Sequence, residues 1–174
     1  MSLRISPQRM SPLVGLVVCL ASFLVGACGE EIGDSCSLST DCSSSNDRIC
    51  DTNSPGGYCT IIGCDVGTCP DEAVCVRFYP VTSTNRPCNP AAEDQTENSC
   101  TADEVCTFSE TCAPRNSEVR FCMKTCGSNG DCRDAYECRD DELMKLNGGE
   151  PVPEPGEVNT SDLKRFCAAA RVDS

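Results

Sequence analysis

The sequence predicts a small, disulfide-rich fold dominated by loops and short β-hairpins, with little helix beyond its first 27 residues. Three observations lead there. The 174-residue chain holds 18 cysteines, a density that marks a disulfide scaffold and an oxidising compartment. Trp is absent, and beyond residue 27 the aromatics are only Tyr58, Phe78, Tyr79, Phe108, Phe121, Tyr136 and Phe166. These are too few for a large apolar core, so covalent staples must carry much of the stability. The cysteines also recur in a pattern, described below, that reads as a repeat.

The chain begins with the layout of a secretory signal. Arg4 and Arg9 precede an apolar run from Leu13 to Val25, which is shorter than the roughly 20 residues a spanning helix needs. Removing residues 1–27 leaves 147 residues and changes the formal net charge from −13 to −15. An acidic surface of that size repels nucleic acid, so no nucleic-acid partner is expected.

The run ends Val25-Gly26-Ala27-Cys28, an aliphatic residue and two small ones before a cysteine, which resembles the lipobox of bacterial lipoproteins. That resemblance implies diacylglyceryl transfer to the Cys28 thiol, cleavage before it, and acylation of the new amine. Two or three acyl chains at about 0.8 kcal/mol per buried methylene would anchor the chain firmly. Val25 and Ala27 also satisfy an ordinary signal peptidase, which would leave a secreted chain without lipid. Parity favours the lipid: 17 cysteines follow Ala27, and assigning Cys28 to lipid leaves an even 16. The expected location is the cell envelope. Gly29, standing where an Asp would favour the inner membrane in many such proteins, points to the outer membrane. Residues 28–35 are expected to form the lipid tether, and residues 36–174 the cysteine-rich domain.

The sixteen cysteines divide by spacing into four units at about 36–59, 64–88, 100–122 and 126–167. Their members are Cys36, Cys42, Cys50, Cys59; Cys64, Cys69, Cys75, Cys88; Cys100, Cys106, Cys112, Cys122; and Cys126, Cys132, Cys138, Cys167. The first gap holds five, four, five and five residues and the second seven, five, five and five, while the third varies from eight to 28. An aromatic precedes the last cysteine in Tyr58-Cys59, Phe121-Cys122 and Phe166-Cys167, but Pro87 precedes Cys88. Asp41-Cys42 and Asp131-Cys132 end two stretches that look like copies of one turn. Pairing is not legible from spacing: four cysteines allow three connectivities, and links between units are open too. The first and fourth units are also similar to the N-terminal cysteine-rich region of Dickkopf-type secreted proteins. This resemblance implies an extracellular stapled module and transfers no binding residues.

Within the units, Ser, Asp, Asn and Gly in the short gaps favour turns. Arg48-Ile49-Cys50 and Gly57-Tyr58-Cys59 should pair as a hairpin around residues 53–56. Residues 104–108 and 118–122 read as strands, the latter at an edge. Asp141 to Leu146 reads as a helical turn, followed by a Pro/Gly loop over 147–160. Thr160 or Ser161 could cap a helix from Leu163 to Ala170, in competition with a strand ending at Phe166-Cys167.

The inventory of reactive groups is poor. The chain has no histidine, which removes the commonest general base and His-ligated metal sites. No nucleophile elbow or phosphate-cradling glycine loop occurs. Neither C-x-C nor C-x₂-C occurs, against zinc and against a thioredoxin-like redox motif. Asp51-Thr52-Asn53 opens like a calcium loop but lacks its closing Glu, with Ile62 in that place. Acid pairs such as Glu30-Glu31, Asp103-Glu104 and Asp140-Asp141 read as solvated surface, and Asn159-Thr160-Ser161 as a sequon without meaning in a bacterial lipoprotein. The expectation is no enzyme, with no catalytic residue, metal or cofactor. The expected role is a surface binding or structural module with a protein or glycan partner. The alternative is a protease inhibitor presenting Arg77, Arg86 or Arg120 on a rigid loop.

Overall fold

In the computed structural model the described residues are 30–80, 86–90, 100–154 and 163–171. They form a small, disulfide-rich fold of short strands and loops with few helices, as the composition requires. The elements are α1 (Ser39–Cys42), β1 (Ile49–Cys50), β2 (Cys59–Thr60), β3 (Ala73–Phe78), β4 (Glu104–Cys106), β5 (Cys112–Pro114), β6 (Val119–Lys124), β7 (Tyr136–Arg139), α2 (Asp141–Asn147), β8 (Glu150–Pro151) and β9 (Phe166–Ala169). The strands make three two-stranded ribbons, β1-β2, β4-β5 and β7-β9, and one three-stranded sheet in the order β6-β3-β8, all antiparallel.

Eight disulfides join all sixteen cysteines from Cys36 to Cys167: 36–50, 42–59, 64–75, 69–122, 88–106, 100–112, 126–138 and 132–167. The bonding keeps the four-cysteine units but redraws two boundaries. Units 64–88 and 100–122 do not exist as spacing divided them. Cys64, Cys69, Cys75 and Cys122 form one unit. Cys88, Cys100, Cys106 and Cys112 form another, inserted whole between the third and fourth cysteines of the first. With this nesting every unit follows one rule: first cysteine to third, second to fourth.

The geometry explains the rule. In every unit the third and fourth cysteines face each other across an antiparallel pair, Cys50 with Cys59, Cys75 with Cys122, Cys106 with Cys112 and Cys138 with Cys167. They are not bonded to each other. Each instead reaches back to one of the unit's first two cysteines, and in the three outer units these two staples lock a turn against a ribbon. The aromatic-Cys pairs at Cys59, Cys122 and Cys167 are the fourth cysteines of the three outer units.

The turn is built from local hydrogen bonds. Asp41 Oδ2 accepts from the backbone N–H of Ser37 and Leu38, both at 2.9 Å. Asp131 Oδ2 accepts from Gly127 at 2.9 Å and Ser128 at 2.8 Å. These N–H bonds stabilise the carboxylates and hold both below the usual aspartate range. In the second unit Thr68 stands before Cys69 and takes over the role, its hydroxyl accepting from Asp65 N at 2.8 Å and donating to Asp65 O at 2.9 Å.

The expected β1-β2 hairpin is present, with Ile49 opposite Thr60 and Cys50 opposite Cys59. Its return requires Gly57, which has φ +68°, and a Cβ there would stand 2.0 Å from the Cys36 carbonyl oxygen. Strands at 104–106 and 119–124 lie where alternation placed them; β6 ends its sheet's strand order, but its outer side is not an open edge, since Gly63 N donates to Arg120 O at 2.9 Å and Cys122 N to Ile61 O at 3.0 Å. The turn at 141 is α2, its first amides capped by Asp140, which accepts from Leu143 N at 3.1 Å. The competition over 163–170 resolves as a strand: β9 pairs along β7, and its register with Cys138 overrides any local helix preference. The rest of the 147–160 loop and the sequon at Asn159 fall partly or wholly outside the described residues.

One core spans every unit. Ile32, Tyr58, Val76, Phe108, Met123, Tyr136, Met144 and Phe166 are buried together with Cys64, Cys75 and Cys122. Phe78 meets Phe121 and Phe166 edge-on at 6.1 and 6.2 Å. The units are therefore parts of one body, not beads on a string.

Candidate functional site

Three units meet at the residue before Cys59. Tyr58 lies beside Cys59 and is buried. Its hydroxyl accepts from Lys124 N at 2.9 Å and donates to Cys167 O at 3.2 Å, tying three units at one atom. Burial raises its pKa well above the usual tyrosine range. The ring stacks on Tyr136 at 5.4 Å between centroids. Arg133 covers the pair, with its guanidinium carbon 4.2 Å from the Tyr136 centroid and 5.8 Å from that of Tyr58.

Arg133 also donates to the Tyr136 hydroxyl at 2.6 Å and to the Gly57 carbonyl, and Tyr136 donates to Pro55 O at 3.0 Å. The Arg133 Nε is buried without a partner among the described residues. Beside this stack opens a cavity of about 270 Å³ lined by Gly33, Asp34, Lys124 and Asp131 as well as the two tyrosines and Arg133. Its lining comes mainly from units one and four. Sequence reasoning did not find it, because its members are scattered over a hundred residues and no spacing links them.

A second buried polar group holds the inserted unit to the body. Glu150 on β8 is 3 % exposed. Its carboxylate accepts from Arg77 Nε at 2.7 Å and from Phe108 N at 2.5 Å. Burial pushes its carboxyl above the usual glutamate range, with the Arg77 charge acting in the opposite direction. Lys145 reaches Glu110 at 2.9 Å and covers the Phe108 ring at 5.4 Å, closing the same junction.

The residues singled out from sequence fall as follows. Cys28 lies outside the described residues. The other sixteen cysteines are all in disulfides. Sulfurs of the first three cysteines of each unit lie within 4.8 Å of one another, a closeness produced by the two adjacent staples. In that state there is no thiolate to ligate a metal. Asp51 is a turn residue, accepting from Asn53 N at 3.1 Å and Ser54 Oγ at 2.7 Å. Asp140 caps a helix, and Glu104 binds Thr101 N at 2.9 Å and pairs with Arg86. Arg77 and Arg120 lie inside strands, Arg77 on Glu150 and Arg120 on Glu118 and Asp65. Neither stands free at the tip of a loop.

No family model, curated protein or solved structure matches the chain.

Proposed function

We propose that the mature chain is an extracytoplasmic, lipid-anchored module that binds or braces other envelope components without catalysing a reaction. The observation that carries this is the cysteine count. Eight disulfides use every cysteine from Cys36 to Cys167. After cleavage at the end of the apolar run, Cys28 is the single thiol left over, and it stands at the end of Val25-Gly26-Ala27. An unpaired thiol is a liability in an oxidising compartment, and diacylglyceryl transfer to its sulfur removes it. The rigid, staple-held surface suits recognition, since a preorganised surface loses little entropy on binding, and the cavity beside the Tyr58–Tyr136–Arg133 stack gives it a concave site. Gly29 supports placement at the outer membrane.

Intact mass spectrometry of the protein isolated from its native envelope tests this. The expected species starts at Cys28, carries the mass of two or three acyl chains, and has no thiol that reacts with an alkylating reagent. A chain that starts at residue 28 without acyl mass, or whose Cys28 thiol reacts with the alkylating reagent, refutes the anchoring.

A further inference from the structure

Residues 32–35 of the expected tether are part of the folded body. Ile32 is completely buried in the core. Gly33 N donates to Cys59 O at 2.9 Å, and Cys59 N donates to Asp34 O at 2.9 Å, so residues 33–34 pair with the edge of unit one. Gly33 has φ +97°, and a Cβ there would stand 2.9 Å from Lys124 Cβ. The chain is thus clamped between units one and two from Ile32 onward, and residues 32–35 are not a spacer.

From this we infer that the root of residues 30–34 is a membrane-contacting face, pressed against lipid headgroups by its own anchor. This rests on the proposed lipidation of Cys28. Four residue steps separate Cys28 from the buried Ile32, and even a fully extended chain spans at most about 14 Å over that length. The body therefore has no room to drift off the bilayer. The charges at the root identify the headgroups. The root carries Glu30, Glu31 and Asp34, with Glu72 accepting from Ile32 N beside it, against two bases, Arg48 and Lys124, that are both engaged. Arg48 donates to Glu30 O and stands 3.7 Å from Glu72, and Lys124 stands 3.6 Å from Glu31. The acidic surplus is unfavourable to anionic lipid and complements headgroups that bear an ammonium, as aminophospholipids do.

The test uses the full lipidated chain on a supported phosphatidylethanolamine bilayer, compared with a variant carrying twenty Gly and Ser residues between Gly29 and Glu30. Neutron reflectometry should place the native body directly on the headgroups, with the variant displaced outward by about 25 Å, the root-mean-square reach of such a linker. Acylation of Lys124 by a water-soluble amine reagent, referenced to Lys145, should be several-fold faster in the variant. Equal separation and equal Lys124 reactivity in the two proteins overturn the inference while leaving the anchor intact. A native chain that washes off the bilayer and lacks acyl mass overturns the anchoring and the inference together.

Discussion

Tyr58 does more than its place just before a two-residue strand suggests, because one hydroxyl serves as acceptor for unit two and donor to unit four. Tyr58→Phe keeps the ring stack on Tyr136 and removes only that oxygen. Two buried backbone groups then lose their partner, and the expected loss is about 1–3 kcal/mol, read by thermal unfolding with the disulfides intact. Unchanged stability would mean that water replaces the hydroxyl. Glu150 gives the complementary test by pH. Its folded-state pKa is raised by burial, so the folded chain binds its proton more tightly than the unfolded chain. Stability from this group is complete below the unfolded glutamate pKa and declines as pH rises through the folded value. Asp41 and Asp131 act in the opposite sense: their folded values are lowered, and their contribution fades as pH falls. Glu150→Gln should therefore flatten the decline in melting temperature from the glutamate range towards neutrality, without altering the acid limb. Of these residues the sequence exposed only the two aspartates, through their repeated place before a cysteine. Tyr58 and Glu150 act on partners 42 to 109 positions away in the chain, and no local pattern records that.

At the scale of the element, the four-cysteine unit was legible and its phase was not. The spacing rule assumed that consecutive cysteines share a unit, which an insertion breaks. The better signal was present in the same sequence: an aromatic precedes Cys59, Cys122 and Cys167 but not Cys88, and these three are the closing cysteines of the outer units. Strand β3 also went unread, because Ala73–Phe78 gains its partners from β6 and β8 far along the chain. Conversely, residues 163–170 offered both helix and strand, and only the distant β7 decides between them. The nesting predicts a surgical deletion. Phe78 lies opposite Val119, so replacing residues 80–117 with Asn-Gly joins Tyr79 to Glu118 through a two-residue turn suited to a twisted hairpin. Six disulfides should still form in a single oxidised species. Stability should fall by about 3–5 kcal/mol, because Phe108 leaves the core. A scrambled mixture after refolding would show that the inserted unit directs the pairing around it.

For the whole molecule, composition alone gave the class: dense cysteine, scarce aromatics and strong acidity describe a stapled, loop-rich body. What composition could not give is that all units share one core and that the first folded residues belong to it. Ile32 sits in a short polar stretch and looks like linker until its tertiary neighbours are known. The central claim is the nested first-to-third, second-to-fourth pairing, and a tryptic map of the denatured, unreduced protein reads it directly. Cleavage after Arg77, Arg115, Arg120 and Lys124 separates the inserted unit from its host. The account predicts that peptide 78–115, with Cys88, Cys100, Cys106 and Cys112, is released free of other peptides, and that peptide 121–124 remains attached through Cys122 to peptide 49–77. If peptide 78–115 is instead found bridging 49–77 and 121–124, the units are consecutive and the account is contradicted.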